Sequence, residues 1–328
     1  MGLTVALGNA LQGLRTTETG LDTVSRNVAN AGTAGYVRRS VQPVELAPSG
    51  VRDGVIRRAL DTVVQRQLRR ESAGGAYSAT MTAYLSRLDS GFGVPGSEAA
   101  LDTRFNAFAG ALHALASEPG NRTARFEALA GARDMAATLN DLSDTVQGLR
   151  GDAEAEIASL TGEVNAALRT IARIENQLPS MTDGNARADL LDERDRQVDF
   201  LGEVLDIRVL KRGGEGIAIV TASGTALFDG NASQLGFEPR GGIGPTALYD
   251  PDPARSGVGQ LRIVDPQGGG VDLTAGTMQT GRMAALLTLR DTTLVTAQER
   301  LDAMAAGLAR AMSDEPREGA AVSAGGAE

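Results

Sequence analysis

The stretch from Arg122 to Leu178, RTARFEALAGARDMAATLNDLSDTVQGLRGDAEAEIASLTGEVNAALRTIARIENQL, decides the fold. Its apolar residues, among them Phe126, Leu142, Val146, Leu149, Ile157, Leu160, Val164, Leu168, Ile171 and Ile174, recur at average helical spacing. Read as one helix, about 57 residues at 1.5 Å each make a rod of roughly 85 Å. Gly148, Gly151 and Gly162 are places for it to bend or split, and Pro179 stops it. Asp183 and Asn185 then offer new caps, and ADLLDERDRQVDFLGEVLD (188–206) turns the chain back as an antiparallel helix.

Downstream of Asp206 the composition changes to glycine with short β-branched runs, IRVL, GIAIV, ALFDG, LRIVD and VDL, which read as a small β-rich module. Helical periodicity returns at GRMAALLTLRD (281–291) and continues through Leu294, Leu301, Met304 and Leu308. Upstream, Leu3, Leu7, Ala10, Leu14, Thr17, Leu21, Val24 and Val28 alternate at spacings of four and three, the a/d seam of a coiled coil. Gly8, Gly13 and Gly20 weaken that helix by about 0.8–1.0 kcal/mol each, so it needs a covering partner to persist. ANAGTAGYVRR (29–39) breaks it, and VRRSVQPVEL and GVRDGVIRRAL pair as a loose hairpin. A helix follows from Leu60 and Val64, with a weak point at Gly74 and Gly75, and another is entered near Ser97 and closed by EPGN (118–121).

The expected fold is therefore mainly α with a β-rich module (α+β), an elongated antiparallel helical bundle with a coiled-coil-like N-terminal helix. Its expected parts are an N-terminal heptad helix and turn motif (1–36), a hairpin and long bundle (37–206), a β-rich module (207–276), a returning helix (277–312) and a loose tail (313–328).

Composition narrows the function. The chain has 328 residues, 42% hydrophobic and 22% charged, enough for a globular protein, but aromatics are only 3%, so Leu, Val and Ala must build the core. There is no cysteine and one histidine, His113, which excludes disulfides, thiolate chemistry and any site needing two imidazoles. A net charge of −9 argues against nucleic acid. No run is long and apolar enough for membrane insertion, and no cleaved signal pattern opens the chain.

Candidate motifs read blandly. His113 beside Leu112 is structural. Asp189, Asp192, Glu193 and Asp195, interleaved with Arg187, Arg194 and Arg196, read as a solvated ion-paired helix face. GIGPTA (242–247) lacks the strand and helix a dinucleotide loop needs. Arg57, Arg58, Arg66, Arg69 and Arg70 form a basic face, solvated or contacting another subunit. No catalytic residue, cofactor or metal ligand is expected. An enzyme would have to use Asp229, Asp250 and Asp252 of the β-rich module.

Ala29, Asn30, Thr33, Ala34, Gly35, Tyr36 and Arg38 resemble the signature that follows the first helix of flagellar rod, hook and junction proteins, with Ala34 where proline is usual. SEAALDTRFNAFAGALHALASEPGNRTAR, LLDERDRQVDFL and GRMAALLTLRD, in that order, resemble the flagellar hook-associated protein 1 family, the hook-filament junction proteins. The resemblance implies a structural protein of the bacterial flagellum that leaves the cell unfolded by type III export, without a cleaved signal peptide, and assembles as a ring at the hook tip. The partners it implies are further copies of the chain, the hook protein, the second hook-associated protein and an export chaperone. It assigns assembly or export to Asn30, Thr33, Gly35, Tyr36 and Arg38, and helix pairing to Leu3, Leu7, Leu14, Leu21, Val24 and Val28. Family members end in a second heptad helix, and no such segment is expected before Glu328. The alternatives are another axial protein of hook or rod, or a non-flagellar coiled-coil regulatory protein.

Overall fold

A computed structural model describes residues 2–46, 50–264 and 269–318. In chain order the elements are α1 (Gly2–Ala29), β1 (Arg39–Leu46), β2 (Gly50–Arg58), α2 (Thr62–Phe92), α3 (Leu101–Ser117), α4 (Arg122–Gln177) and α5 (Gly184–Val204). Then come β3 (Ile207–Lys211), β4 (Ile217–Thr221), β5 (Ala226–Asp229), β6 (Asn231–Ala232), β7 (Gln234–Phe237), β8 (Leu261–Val264) and β9 (Gly270–Leu273). Helices α6 (Arg282–Thr288) and α7 (Leu294–Glu318) flank one wide π turn at Leu289–Thr293. The protein is mainly helical with small antiparallel sheets, which is the expected class.

Helix α4 is unbroken through all three of its suspect glycines, none of which lies against another group. Asn121 starts it by accepting the Thr123 N–H at 2.9 Å, and Pro179 ends it in a single 3-10 turn. Asp183 caps α5 by accepting the Ala186 N–H at 2.9 Å. Two expectations fail. Helix α2 runs through Gly74 and Gly75 without a break, because nothing replaces the ladder bonds its backbone would lose there. Ser97 does not cap α3, because its backbone is used in a turn with Val94 and Ala100, leaving α3 to start at Leu101 behind an uncapped Ala100.

The chain forms two compact units. The first holds residues 1–76, 160–236 and 262–282. Its core is the Leu160, Val164, Leu168, Ile171, Ile174 face of α4, with Leu191, Val198 and Leu201 of α5 also buried. Each such side chain contributes about 1.5–3 kcal/mol on full burial. Strands β1 and β2 form a hairpin whose register slips between Gln42 and Val44, where Pro43 has no N–H for the ladder. Strands β3 to β6 form an antiparallel meander, and β7 to β9 a three-stranded sheet. Gly281, at φ +91°, gives its N–H to the Ala73 carbonyl at 3.1 Å, and a Cβ there would sit 2.6 Å from the Val204 carbonyl oxygen. The glycine opening GRMAALLTLRD is thus required by both backbone angle and space.

The second unit holds residues 77–159, 237–261 and 283–328. Its buried aliphatic face on α4 includes Leu142, Val146, Leu149 and Ile157, and Met283 to Leu287 are buried as well. Two fully buried arginines hold the irregular segment that contains GIGPTA. Arg150 donates to the carbonyls of Arg290, Gly244 and Ala247. Arg290 donates to Glu154 at 2.6 Å and to the Gly259 carbonyl at 2.9 Å, while Glu154 Oε1 accepts the Arg240 and Gly259 N–H groups at 2.8 Å each. A segment without ladder partners thereby has its backbone satisfied by side chains. Burial pushes the Arg150 guanidinium below its ordinary pKa.

Candidate assembly interface

Helix α1 carries its stripe into solvent. Leu3 is 89% exposed, Val28 is 72% exposed, and Leu7, Leu14, Leu21 and Val24 are exposed with them. Along the same helix Thr16, Thr17, Thr19 and Thr23 turn their hydroxyls back to carbonyls four residues earlier, so those hydroxyls are spent within the helix. On the opposite side Gln12, Gly13, Thr16, Thr19 and Gly20 are half-buried, and side-chain bonds to other elements gather toward the C-terminal end. There Thr23 is buried, Asp22 accepts from Arg26 at 2.9 Å and from Asn185 of α5 at 3.1 Å, and Asn27 reaches across the turn to Arg39.

The turn after α1 is built from the motif residues. The Asn30 carbonyl accepts the Thr33 N–H at 2.9 Å, the Asn30 side chain accepts the Thr33 hydroxyl at 3.3 Å, and the Thr33 carbonyl accepts the Tyr36 N–H at 3.2 Å. Gly35 sits at φ +77°, and a Cβ on it would lie 2.4 Å from Arg196 Cγ of α5. Only glycine meets both conditions. The Tyr36 hydroxyl donates to Asn27 Oδ1 at 3.0 Å; the same oxygen accepts the Arg39 N–H at 2.9 Å, and Asn27 Nδ2 donates to the Arg39 carbonyl at 2.8 Å. Asn30, Thr33, Gly35 and Tyr36 thus form one locked turn. The Arg38 side chain is exposed, and its carbonyl accepts the Ala59 N–H at 2.8 Å.

Behind the turn lies an ion network. Hairpin register places Arg39 opposite Arg58, a like-charge pair that repels unless acids come between. Asp192 of α5 does this, accepting from Arg39 at 2.7 Å on one oxygen and from Arg58 at 2.8 Å on the other. Asp189 adds a second bond to Arg39 at 2.6 Å and Asp195 one to Arg58 at 2.6 Å. Arg69 of α2 takes Asp199 at 2.5 Å, and Arg194 takes Glu175 at 2.7 Å. The Arg39 side chain is 1% exposed and Asp192 is 2% exposed. Burial works against the Arg39 charge, but its bonds to Asp192 and Asp189 outweigh that and raise its pKa. Its guanidinium also stacks 4.9 Å from the Tyr36 ring centre, joining network to turn.

This corrects the reading of the α5 acids as a solvated face. Their principal partners come from the hairpin and α2 rather than from α5's own arginines, because desolvation near the core favours well-matched tertiary pairs. Glu193 does follow the local pattern, bonded to Arg196 at 2.5 Å; that bond, with help from Gln197, holds its pKa below the ordinary value. Arg58 and Arg69 likewise leave the expected basic face, whereas Arg57, Arg66 and Arg70 stay exposed. Sequence reading missed Asn27, Arg39 and the acceptors Asp192 and Asp195. The available signal was the run Asp189, Asp192, Asp195, Asp199, spaced by three, three and four along one helix face.

His113 is exposed on α3. Asp229 is ion-paired with Arg212 at the end of β5, and Asp250 is used inside its own loop by the Asp252 N–H and Arg255. Among the described residues no group of three or more His, Asp or Glu side chains could hold a metal ion. No helix among the described residues is long and apolar enough to cross a membrane.

The fold is that of a helical protein with an antiparallel β module, and its most distinctive surface is an uncovered heptad helix fixed at one end. The flagellar hook-associated protein FlgK helical domain matches residues 85–327, and the chain belongs to that family. Among its relatives, flagellar hook-associated protein 1 of Escherichia coli (strain K12) is 27% identical over 332 residues, covering 95% of this chain and 57% of that protein. The protein of the same name from Bacillus subtilis (strain 168) is 25% identical over 252 residues, covering 71% of this chain and 50% of its own. The flagellar hook junction protein FlgK from Burkholderia pseudomallei has a similar fold, with a TM-score of 0.60 at 22% identity over 72% of this chain and 40% of that one. The chain spans about half the length of the curated relatives it matches.

Proposed function

We propose that the chain is a structural, non-catalytic subunit of the bacterial flagellum, acting outside the cell where hook meets filament. The observation that carries this reading is α1: a heptad stripe left in solvent, joined to the folded body by a turn that an ion network locks in place. A helix so presented is poised to be covered by another helix. On this reading Leu3, Leu7, Leu14, Leu21, Val24 and Val28 pair with neighbouring helices, and Asn30, Thr33, Gly35, Tyr36 and Arg38 set the angle at which α1 leaves the body. Partners are further copies in a ring, the hook protein, the second hook-associated protein and, before assembly, an export chaperone. The weak helix with Gly8, Gly13 and Gly20 suits a chain that unfolds for type III export. The segments 1–36, 37–206, 207–276, 277–312 and 313–328 are the corresponding functional parts.

The test is allele exchange at the native locus. Leu7→Asp with Leu21→Asp should abolish swimming and leave hooks without filaments in electron micrographs, with the protein found in the medium. Gly35→Ala with Tyr36→Ala should impair swimming more than His113→Ala. Normal filaments in both double variants would overturn the reading.

A further inference from the structure

The first unit contains an open groove of about 770 Å³ bounded by β2, the N-terminal half of α5 and the turn between β3 and β4. Four consecutive residues, Val55 to Arg58, line it. A strand that presented a face would contribute alternate residues, so the groove runs along the strand's edge. That edge is unpaired: β2 has β1 on one side and no strand on the other among the described residues. The groove's aliphatic groups are Val55, Ile56, Ala188, Leu191 and Ile217. Its charges are lopsided, with Arg57, Arg58, Arg187, Arg194 and Lys211 against the single acid Glu215.

Internal pairing removes only part of that excess. Arg58 is held by Asp192 and Asp195, Arg194 by Glu175, and Arg187 by Glu215 at 2.7 Å. Arg57 and Lys211 are exposed and have no ion pair among the described residues, and the buried Nε of Arg194 has no hydrogen-bond partner there. Two uncompensated cations, Arg57 and Lys211, on a chain of net charge −9 are a local feature opposite in sign to the whole. Size, free strand edge, aliphatic side chains and cationic rim together select one kind of occupant.

We propose that this groove binds an extended acidic segment of another protein, its backbone running beside β2, its aliphatic side chains on Ile56, Leu191 and Ile217, and its carboxylates among Arg57, Arg187 and Lys211. The backbone edge supplies affinity, and the alternating pockets and charges supply selection. This rests on the groove alone and is independent of the role of α1.

Fluorescence anisotropy with a labelled heptapeptide of alternating aspartate and leucine tests it, with serine–leucine and lysine–leucine peptides for comparison. The acidic peptide should bind about tenfold or more tightly than the serine peptide, with an advantage that shrinks as salt is added. Arg57→Glu with Lys211→Glu should remove that advantage, and Arg66→Glu, outside the groove, should leave it unchanged. If circular dichroism shows the double Glu variant misfolded, Arg57→Gln with Lys211→Gln serves in its place and should weaken binding about threefold or more. Equal binding of serine and aspartate peptides would overturn the proposal. So would full displacement by inorganic phosphate, which marks a simple anion site, or concentration-dependent self-association lost in the Glu variant, which makes a second copy the occupant.

Discussion

Gly35 and Arg39 show how much of the turn's geometry rests on single side chains. Gly35→Ala adds a left-handed backbone cost of about 1–2 kcal/mol to a collision with Arg196 Cγ at 2.4 Å. Thermal melting should therefore show a lower Tm for Gly35→Ala, and Gly35→Ala with Arg196→Ala should recover the collision but not the backbone cost. Full recovery would mean that the positive φ is not strained. Arg39→Met leaves the buried carboxylate of Asp192 to Arg58 alone, with one oxygen unpaired, so the cost should fall below the about 3–5 kcal/mol of a fully broken buried pair. Urea titration should show the midpoint falling accordingly, whereas Arg38→Met, at an exposed position with no ion pair among the described residues, should leave it nearly unchanged. Arg38 was legible from the motif and Arg39 was not, because the sequence pattern marks the turn but not the strand register that brings Arg39 opposite Arg58 and onto α5.

At the scale of elements, the sequence was legible wherever one strong local signal dominated. Helix α4 ends where Pro179 requires, α5 starts where Asp183 caps, and β1 pairs with β2 as their β-branched runs suggest. It misled where the signal was weak: Gly74 and Gly75 cost helix propensity but no hydrogen bond, so α2 continues through them. Helix α2 also has a cap that reading missed. Asp61 Oδ1 accepts the Val63 N–H at 2.8 Å and the Val64 N–H at 3.2 Å, and these bonds hold its carboxyl below the ordinary pKa. A lowered folded-state value means that the cap stabilises above the unfolded pKa of about 3.9 and is lost as pH falls through the folded one. Asp61→Ala should thus lower Tm at pH 7, with the gap to the parent closing below about pH 4. Asp61→Asn, which keeps an acceptor without the charge, should fall between them at neutral pH. A gap between parent and Asp61→Ala that persists unchanged into acid would show that the carboxylate charge plays no part.

For the whole molecule, the decisive quantity is how much of the heptad stripe the chain covers for itself. The fold class and the α1 stripe were legible because both are periodic. The ion network was not, since it joins residues about 150 positions apart, such as Arg39 and Asp192 (|i−j| = 153), which no local pattern links. Each apolar side chain of the stripe could contribute about 1.5–3 kcal/mol if buried, but Leu3, Leu7, Leu14 and Leu21 stay exposed. Against a helix with three internal glycines, little beyond intrinsic propensity remains to hold the early turns. The last turns differ, because Thr23 is buried and Asn27 is bonded to Tyr36 and Arg39. Hydrogen exchange on the monomeric chain should therefore be graded along α1, with amides near Leu3 to Leu14 exchanging almost at the unfolded rate and those near Thr23 to Val28 slowed. Asn27→Ala should reduce that slowing while leaving the early turns as they are, since Asn27 bonds the Tyr36 hydroxyl and the Arg39 backbone near the end of the helix. Strong protection from Leu3 to Leu14 in a sample shown by sedimentation to be monomeric would mean that the stripe is already covered, and α1 would then not be free to receive a neighbour.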